Sequence, residues 1–238
     1  MNKKNILILG ASSDIGQKVI NIFLQNNWRV YAHYNSNLKN IKNNNFLFKN
    51  NLEFLKSDFS KQKEFTKFSK FVNKIHFHSC INLIGYIDNV SFKKTTIKSL
   101  VKSIQINALM PLIIQRDMLK KMEQKKFGRI LNISSIGVKY GGSEFTFNYS
   151  YSKHCLEYVP RHIRKLAKSN ILCNVLRVGV VNTKIHKKIK SKNISKRVKL
   201  IPIKRMATTN EISDIIFNLA SEKNSYISGE VITIAGGE

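Results

Sequence analysis

The residues best suited to do chemistry stand close together in the segment from Ser134 to Lys153. Within it, Tyr149 and Lys153 are four residues apart, a spacing that places two side chains about 5 to 6 Å apart on one face of a helix. A free tyrosine titrates with a pKa of about 10, and a fixed ammonium group beside it stabilises the phenolate and lowers that pKa. The pair therefore predicts a phenol that exchanges protons near neutral pH, with Lys153 as the source of charge.

A serine joins this pair through the strand predicted just before it. The run GRILNISS has the apolar character of a buried strand and ends at Ser135, so the hydroxyl would face the same cleft and hold a carbonyl oxygen. A Tyr-x-x-x-Lys pair alone is accidental more often than functional, so the interpretation depends on the rest of the chain. The pattern predicts one continuous helix over 148–167. Tyr151 lies on another face of this helix than Lys153 and is interpreted as a packing or rim residue.

The start of the chain predicts a binding site for a dinucleotide. An apolar run at 6–9 precedes the turn GASSDIG and then a helical pattern, the order strand, glycine turn, helix. Glycines let the backbone approach a pyrophosphate, and the helix N-terminus offers free N–H groups to the anion. Asp14 stands where glycine is usual, so we expect its carboxylate to turn away from phosphate and cap the helix. The candidate contacts are Gly10, Ser12, Ser13, Asp14, Ile15 and Gly16.

The end of the second predicted strand, at 28–33, bears on the choice of dinucleotide. An acidic residue there would bind the ribose 2′-hydroxyl and select NAD. The chain instead offers Tyr34, Asn35 and Ser36, with Lys39 nearby. A 2′-phosphate would be tolerated, so we expect NADP(H) to be favoured over NAD(H).

Strand and helix patterns alternate along the rest of the chain. This alternation predicts an α/β fold, a doubly wound parallel sheet between two layers of helices, as one domain over 1–238. A long helical pattern at 97–122 contains Asn107, either a satisfied buried amide or a site residue, and a bend is expected at Pro111. The basic stretch 184–205 lacks periodicity and is predicted to be a mobile flap over the cleft.

The charge balance is unusual, with 41 basic against 14 acidic residues, a net charge of +27 and a pI of about 10.1. Such a balance would suit nucleic acid or an acidic partner. Here lysine accompanies abundant asparagine and isoleucine and is spread along the chain. Compositional drift and solvated faces therefore explain most of the charge, and we expect no nucleic-acid partner.

Cysteine usage and hydropathy indicate the compartment. Cys80, Cys155 and Cys173 form no C-x-x-C pair, which favours a reducing environment. We expect no membrane span, because an apolar stretch of ~20 residues would be needed for one. We expect a cytoplasmic protein with no membrane partner. His76 and His78 share one face of a predicted strand, but with no third ligand in view no metal is predicted.

In order and spacing, these marks resemble the short-chain dehydrogenase/reductase family, in the single-domain branch that includes 3-oxoacyl-[acyl-carrier-protein] reductases. The resemblance covers essentially the whole chain: LGASSDIG for TGxxxGxG, NLIG for NNAG, then Asn107, NISS, YSYSK, RVGVVNT and the C-terminal tail. The departures are Leu9, Asp14, Leu83-Ile84 and Val178. They fall in cofactor loops rather than on the catalytic residues.

The resemblance implies a Rossmann fold and an NAD(P)H-dependent oxidoreductase that reduces a ketone to a secondary alcohol, or the reverse. Tyr149 would exchange the proton and Ser135 would orient the oxygen. Lys153 would hold the ribose and lower the phenol pKa, and Asn107 would position a water. It also implies cofactor contacts from Tyr149, Lys153 and the loop residues Asp58, Asn82, Gly85, Gly179, Val181 and Thr183.

The substrate is the most open question, because this family uses one scaffold for many carbonyl compounds. A flap rich in cations favours an anionic or carrier-bound substrate, and basic residues beside the strand of Ser135 could dock a carrier. A 3-oxoacyl-[acyl-carrier-protein] reductase is the first choice, and a reductase of a sugar or nucleotide-sugar in surface-polysaccharide synthesis is the close second choice. The cations are Lys184, His186, Lys187, Lys188, Lys190, Lys192, Lys196, Arg197 and Lys199 in the flap, with Lys125, Lys126 and Arg129 beside the strand.

Other classes are disfavoured by particular features. An extended-branch epimerase would need a larger C-terminal domain. A divergent enoyl reductase would place its tyrosine six or seven residues before Lys153, where Phe147 and Thr146 stand. A silent dinucleotide-binding regulator would leave the Asn, Ser, Tyr and Lys set unexplained. By analogy with the family, a homodimer or homotetramer is expected through the helices at 97–122 and 149–168.

Overall fold

The computed structural model describes residues 3–36, 49–189 and 193–238. Within these residues seven strands, all parallel, form one sheet in the order β3-β2-β1-β4-β5-β6-β7. The strands are β1 (Asn5–Leu9), β2 (Arg29–Tyr34), β3 (Leu52–Lys56), β4 (Ser79–Asn82), β5 (Gly128–Ser135), β6 (Ile171–Val178) and β7 (Val231–Ile234). The predicted doubly wound α/β fold is confirmed.

Helices cover both faces of this sheet. They are α1 (Asp14–Gln25), α2 (Gln62–Val72), α3 (Ile97–Ile104), α4 (Met110–Lys125), α5 (Phe147–His154), α6 (Arg161–Lys165), α7 (Ile194–Leu200) and α8 (Thr209–Ala220). A π-helical turn, Gln105–Leu109, joins α3 to α4. In place of the predicted bend at Pro111, the helix widens locally in this turn, which ends at Leu109; Pro111 is the second residue of α4.

Strand β1 is an unbroken apolar run after Asn5 because both of its faces are buried. In β1, Ile6 and Ile8 join one core cluster and Leu7 and Leu9 the other, as expected for side chains that alternate across a strand. The first cluster also contains apolar residues of α1 and α8, and the second those of α2 and α4. The sheet is thus held rigidly between two layers, and its loops can carry a site.

The helical run Ile97–Lys125 is long enough, and over one window apolar enough, to cross a membrane by length and composition alone. The expectation that no apolar stretch approaches the length of a membrane span is therefore wrong for the length and composition of this run. Core helices of globular domains pass the same test, and Ile114, Met118 and Met122 of this run are buried in the second core cluster. Packing against the sheet accounts for their apolar character.

The segment 148–167 is not the continuous helix that its pattern predicts. Helix α5 ends at His154, residues 155–160 form turns and irregular backbone, and α6 begins at Arg161. Pro160 explains the break, because proline has no N–H to donate and disfavours helical backbone in the residue before it. The interruption leaves the helix that carries Tyr149 and Lys153 only eight residues long.

Candidate active site

A cleft of about 1090 Å³ opens at the carboxyl edge of the sheet, lined by the loops that follow β1 to β6. Ligands of open parallel sheets bind at this edge. Most of the residues predicted to contact a cofactor line it: Gly10, Ser12, Ser13, Asp14, Ile15, Asn35, Ser36, Asp58, Gly85, Tyr149, Lys153, Gly179, Val181 and Thr183.

Three predicted contact residues do not line the cleft. A Cβ on Gly16 would lie 2.5 Å from the Ala11 carbonyl oxygen, so this glycine serves the packing of α1 on its own turn. Tyr34 is buried in the first core cluster. The Asn82 amide is buried, accepting from the Ile84 N–H at 3.1 Å and donating to the Asn107 carbonyl at 3.3 Å. Each therefore supports the cleft from behind.

The glycine turn after β1 is shaped by close backbone contacts. Gly10 has φ +76°, and a Cβ there would lie 2.9 Å from the backbone nitrogen of Ile84, so only glycine fits. Ser13 is the N-cap of α1, with its hydroxyl accepting from the Gly16 N–H at 3.0 Å. The prediction that Asp14 caps the helix is wrong, because its carboxylate reaches across to accept the N–H of Lys184 at 2.6 Å.

His33 was not predicted from the sequence, although it ties this turn to the neighbouring strand ends. Its Nδ1 accepts from the Gly10 N–H at 3.2 Å, which leaves Nε2 to donate to the Ser57 carbonyl at 3.0 Å. Burial lowers the pKa of His33 to about 4, so the ring is neutral at physiological pH. The signal in the sequence was a polar residue in the otherwise apolar strand VYAHY.

The structure brings Ser135, Tyr149 and Lys153 together on the wall of the cleft. The ammonium nitrogen of Lys153 lies 5.8 Å from the centre of the Tyr149 ring. Burial raises the pKa of Tyr149 to about 12, and a hydrogen bond with Ser135 opposes that rise. The expected lowering of the Tyr149 pKa is therefore wrong for this structure, because desolvation of the phenolate outweighs the nearby cation.

Lys153 is itself buried, at 2% exposed. Its Nζ donates to the carbonyl oxygens of Ile84 at 2.7 Å and Ile133 at 2.6 Å. Burial lowers the pKa of Lys153 to about 7. Within the described part of the chain two of its three N–H donors are paired, and the side chain lines the cleft. It can therefore offer the third donor, and a proton, to a ligand.

Asn107 lies behind the cleft rather than on its wall. Its Oδ1 accepts from the Tyr86 N–H at 2.7 Å, and its Nδ2 donates to the Tyr86 carbonyl at 3.0 Å and to the Ser152 hydroxyl at 2.8 Å. The side chain is thus a satisfied buried amide, and the role of Asn107 in positioning a water stays a prediction. The side chain ties the loop after β4 to the helix that carries Lys153.

The basic residues of the predicted flap divide into several groups. Lys184, His186, Lys196 and Arg197 line the cleft. Arg197 is ion-paired with Glu238. Lys190 and Lys192 lie outside the described residues, as does Lys39 of the predicted adenine end, and the Lys187 and Lys188 side chains are likewise not described.

The residues predicted to dock a carrier beside the strand of Ser135 lie at or before the end of that strand opposite to Ser135. Lys125 and Lys126 end or follow α4, before β5 begins, and Ser135 ends the eight residues of β5. At about 3.3 Å per residue, the strand separates them by more than about 20 Å. Arg129 is 2% exposed and donates to the Asn224 and Asn170 carbonyls. The docking prediction is therefore wrong for Arg129.

Comparison with known proteins extends over the whole chain. A family model described as enoyl-(acyl carrier protein) reductase matches residues 10–238. The 3-oxoacyl-[acyl-carrier-protein] reductase FabG of Buchnera aphidicola subsp. Schizaphis graminum is 27% identical over 247 residues, covering 100% of this chain and 98% of that protein.

Two solved structures have the same fold. ElxO with NADP bound has a TM-score of 0.83 at 27% identity, covering 99% of this chain and 98% of that one. YwfH, an NADPH dependent reductase involved in bacilysin biosynthesis, has a TM-score of 0.86 at 23% identity, with 99% and 98% covered. Together with the family model, which runs from residue 10 to the last residue, these likenesses lead to one conclusion. The chain belongs to the short-chain dehydrogenase/reductase family.

Proposed function

We propose that the protein is an NADP(H)-preferring 3-oxoacyl-[acyl-carrier-protein] reductase, which reduces the ketone of a carrier-bound acyl chain to a secondary alcohol. The observation that carries this proposal is the meeting of Ser135, Tyr149 and Lys153 on the wall of the cleft that begins at the glycine turn. The name of the Buchnera relative supports the choice of substrate.

The cleft suits a dinucleotide on its own residues. Gly10 keeps the turn after β1 open to a ligand, and the first N–H groups of α1 face an anion favourably. The Ser57 hydroxyl is buried on the cleft wall and has no hydrogen-bond partner among the described residues, so a ligand can supply one. When bound, the nicotinamide nucleotide supplies the hydride for the carbonyl carbon. The residues that would contact this nucleotide are the fourteen predicted cofactor residues that line the cleft.

The preference for NADP(H) rests on the loop after β2. Asn35 and Ser36 line the cleft there, and neither carries an acid that would repel a 2′-phosphate. ElxO, whose structure contains NADP, supports the same choice.

We assign the proton chemistry to three side chains. The Ser135 hydroxyl holds the carbonyl oxygen. Because the pKa of Tyr149 is raised to about 12, its phenol keeps its proton at neutral pH and can donate it to that oxygen. The phenolate left behind is stabilised by the Lys153 ammonium group, whose pKa of about 7 lets it return a proton to Tyr149. Asn107 is then a brace for this arrangement, through Tyr86 and Ser152.

The substrate side of the cleft combines apolar and cationic residues of the segment 184–205, which we propose acts as a flap on a single catalytic domain. Ile185, Ile189 and Leu200 line it and suit an acyl chain better than a sugar. Lys184 and Lys196 line it too and suit the acidic carrier or its phosphate. An acyl carrier satisfies both requirements.

Assembly and compartment complete the proposal. Ile97 is 85% exposed and Tyr158 79%, with Val101, Leu109 and Leu112 about half exposed, an apolar surface that a second copy would cover. We therefore propose a homodimer or homotetramer through α3, α4 and the segment after α5.

The proposed cytoplasmic location rests on the free thiols of Cys80, Cys155 and Cys173.

The test is a substrate panel with purified protein. Acetoacetyl carrier protein and nucleotide-linked keto-sugars are each supplied with NADPH and with NADH, and cofactor oxidation is followed by absorbance. We expect oxidation of NADPH with the carrier substrate, faster than with NADH. Turnover confined to the keto-sugars would overturn the substrate assignment, and equal rates with NADH would overturn the cofactor preference.

A further inference from the structure

A buried ion pair beside the catalytic helix takes no part in the chemistry described above. Arg177 on β6 donates from Nε to Glu157 Oε1 at 2.9 Å and from Nη2 to Glu157 Oε2 at 2.5 Å. The Glu157 side chain is 7% exposed. Ser134 on β5 donates its hydroxyl to the same Oε1 at 2.7 Å. One carboxylate therefore joins two central strands to the irregular segment after α5.

This carboxylate is connected to Ser135 through Ser134, and to Lys153 and Tyr149 through a short stretch of chain. Ser134 is the neighbour of Ser135, and its hydroxyl is also 3.4 Å from the carbonyl oxygen of Lys153. Glu157 follows Lys153 by four residues, and Tyr149 lies one helical turn before Lys153. A shift of Glu157 relative to β5 would thus move Lys153 and Tyr149 relative to Ser135.

The short catalytic helix needs such an anchor. Helix α5 has eight residues, and isolated helices of this length are not stable in water, so tertiary contacts must hold it. Beyond Lys153 the chain tightens: the carbonyl of Lys153 accepts from the Leu156 N–H at 3.1 Å, three residues on instead of the four of an α-helix. Pro160 then prevents the helix from continuing over the sheet.

The charge of Glu157 is maintained despite its burial. Burial acts to raise the pKa of Glu157, but hydrogen bonds from Arg177 and Ser134 together hold it below its ordinary value. The carboxylate is therefore ionised at neutral pH and makes charge-assisted bonds to the guanidinium group, which are stronger than neutral hydrogen bonds.

From this geometry we infer that Glu157 is a positioning residue: by binding Ser134 and Arg177 it fixes the end of α5, and so the placement of Tyr149 and Lys153 against Ser135. The inference rests on the proposed function of those three residues. It assigns Glu157 no contact with substrate or cofactor.

The test variant is Glu157→Gln, which keeps the shape and an oxygen acceptor but removes the charge that orients Arg177. Since misplacement of catalytic groups by about 1 Å costs up to about 100-fold in rate, we expect kcat to fall about 10- to 100-fold. The Kd for NADPH, measured by fluorescence titration, should change far less than kcat, by no more than about threefold, because only Tyr149 and Lys153 among the fourteen residues proposed to hold the cofactor depend on Glu157. The deuterium isotope effect on kcat with 4-deuterated NADPH should rise, as chemistry becomes rate-limiting.

Matched variants separate positioning from general loss of structure. Glu53→Gln makes the same charge change in the exposed pair with Arg29, and kcat should not change. Arg177→Lys keeps a cation for Glu157 and should retain more activity than Arg177→Met. Should Glu157→Gln fail to fold, Ser134→Ala and the two Arg177 variants test the same contact with the same three readouts.

Two results would overturn the inference: wild-type kcat in Glu157→Gln, or a fall in kcat matched by an equal loss of NADPH affinity, which would indicate a general structural role. Tyr149→Phe, measured in parallel, distinguishes this failure from a failure of the proposed function. If Tyr149→Phe loses turnover while Glu157→Gln behaves as wild type, only the positioning role is wrong.

Discussion

Lys153 and Arg129 are each 2% exposed, yet they lie at opposite edges of the same sheet and differ in what surrounds them. At the amino edge, Arg129 donates to the carbonyls of Gly128, Asn170 and Asn224 and to the Asn170 side chain. Near the carboxyl edge, the donors of Lys153 find only two partners among the described residues, the carbonyls of Ile84 and Ile133, and its side chain lines the cleft.

The comparison teaches how a structural buried cation differs from a reactive one. Burial lowers the pKa of Arg129 to about 10, so the guanidinium stays charged at neutral pH and fixes the chain around it. Burial lowers the pKa of Lys153 to about 7, so its proton can be exchanged under physiological conditions. A buried cation with a shifted pKa beside a cavity indicates a functional residue. An equally buried cation whose donors are paired with protein acceptors indicates a residue that stabilises the fold.

The largest expected effect is on the carboxyl-edge cation. Lys153→Met should lower kcat/KM by at least about 1,000-fold, because the variant has neither a cation for the phenolate nor a donor for a ligand. The free energy of unfolding should not fall, because a buried ammonium group that has no carboxylate partner is replaced by an apolar side chain of similar length. Steady-state kinetics and urea denaturation of the same preparation measure both quantities.

Arg129→Met should give the opposite pattern. It leaves the carbonyls of Asn170 and Asn224 without their buried donor, and we expect a loss of about 3 kcal/mol in the free energy of unfolding. The kinetics should stay within about twofold of wild type at a temperature where the variant is folded. If the two methionine variants lost activity and stability in the same proportion, the distinction between the edges would be wrong.

A smaller effect is expected in the pH dependence of stability. The pKa of Lys153 is lowered from its ordinary value to about 7, so above pH 7 the unfolded chain holds a proton that the folded chain has released. Stability therefore rises with pH through this window, by about 1 kcal/mol between pH 7 and pH 8. Stopping at pH 8 avoids Cys80 and Cys173, the pKa of whose thiols burial raises.

Urea denaturation at the two pH values measures this rise. It should be absent from Lys153→Met and retained in Arg129→Met, whose missing guanidinium does not titrate in this range. A rise of equal size in Lys153→Met would show that another group is responsible.

The local features of the site could be predicted from the sequence. The spacing of Tyr149 and Lys153 and the strand that ends at Ser135 depend on neighbours in the chain, and helix and strand periodicity report such neighbours well. The glycine turn at Gly10 is local in the same sense. Pro160 is a local signal of the same kind, because a proline inside a helical pattern ends or kinks the helix before it.

The features that depend on distant residues could not be predicted. The partners of Lys153, the carbonyls of Ile84 and Ile133, lie 69 and 20 residues away, and no local pattern announces such contacts. Burial is equally hidden, so the direction of the Tyr149 pKa shift was wrong in the sequence-based expectation. The side-chain role of Asn107 followed only from seeing its partners, Tyr86 and Ser152.

The measurement that tests the central claim most directly compares turnover and NADPH binding in Tyr149→Phe. The variant keeps the ring and loses only the hydroxyl that donates the proton, so we predict that reduction of acetoacetyl carrier protein is abolished while the Kd for NADPH stays within about twofold. Retained turnover in the purified variant would contradict the assignment of Tyr149, and with it the account of this cleft as the active site.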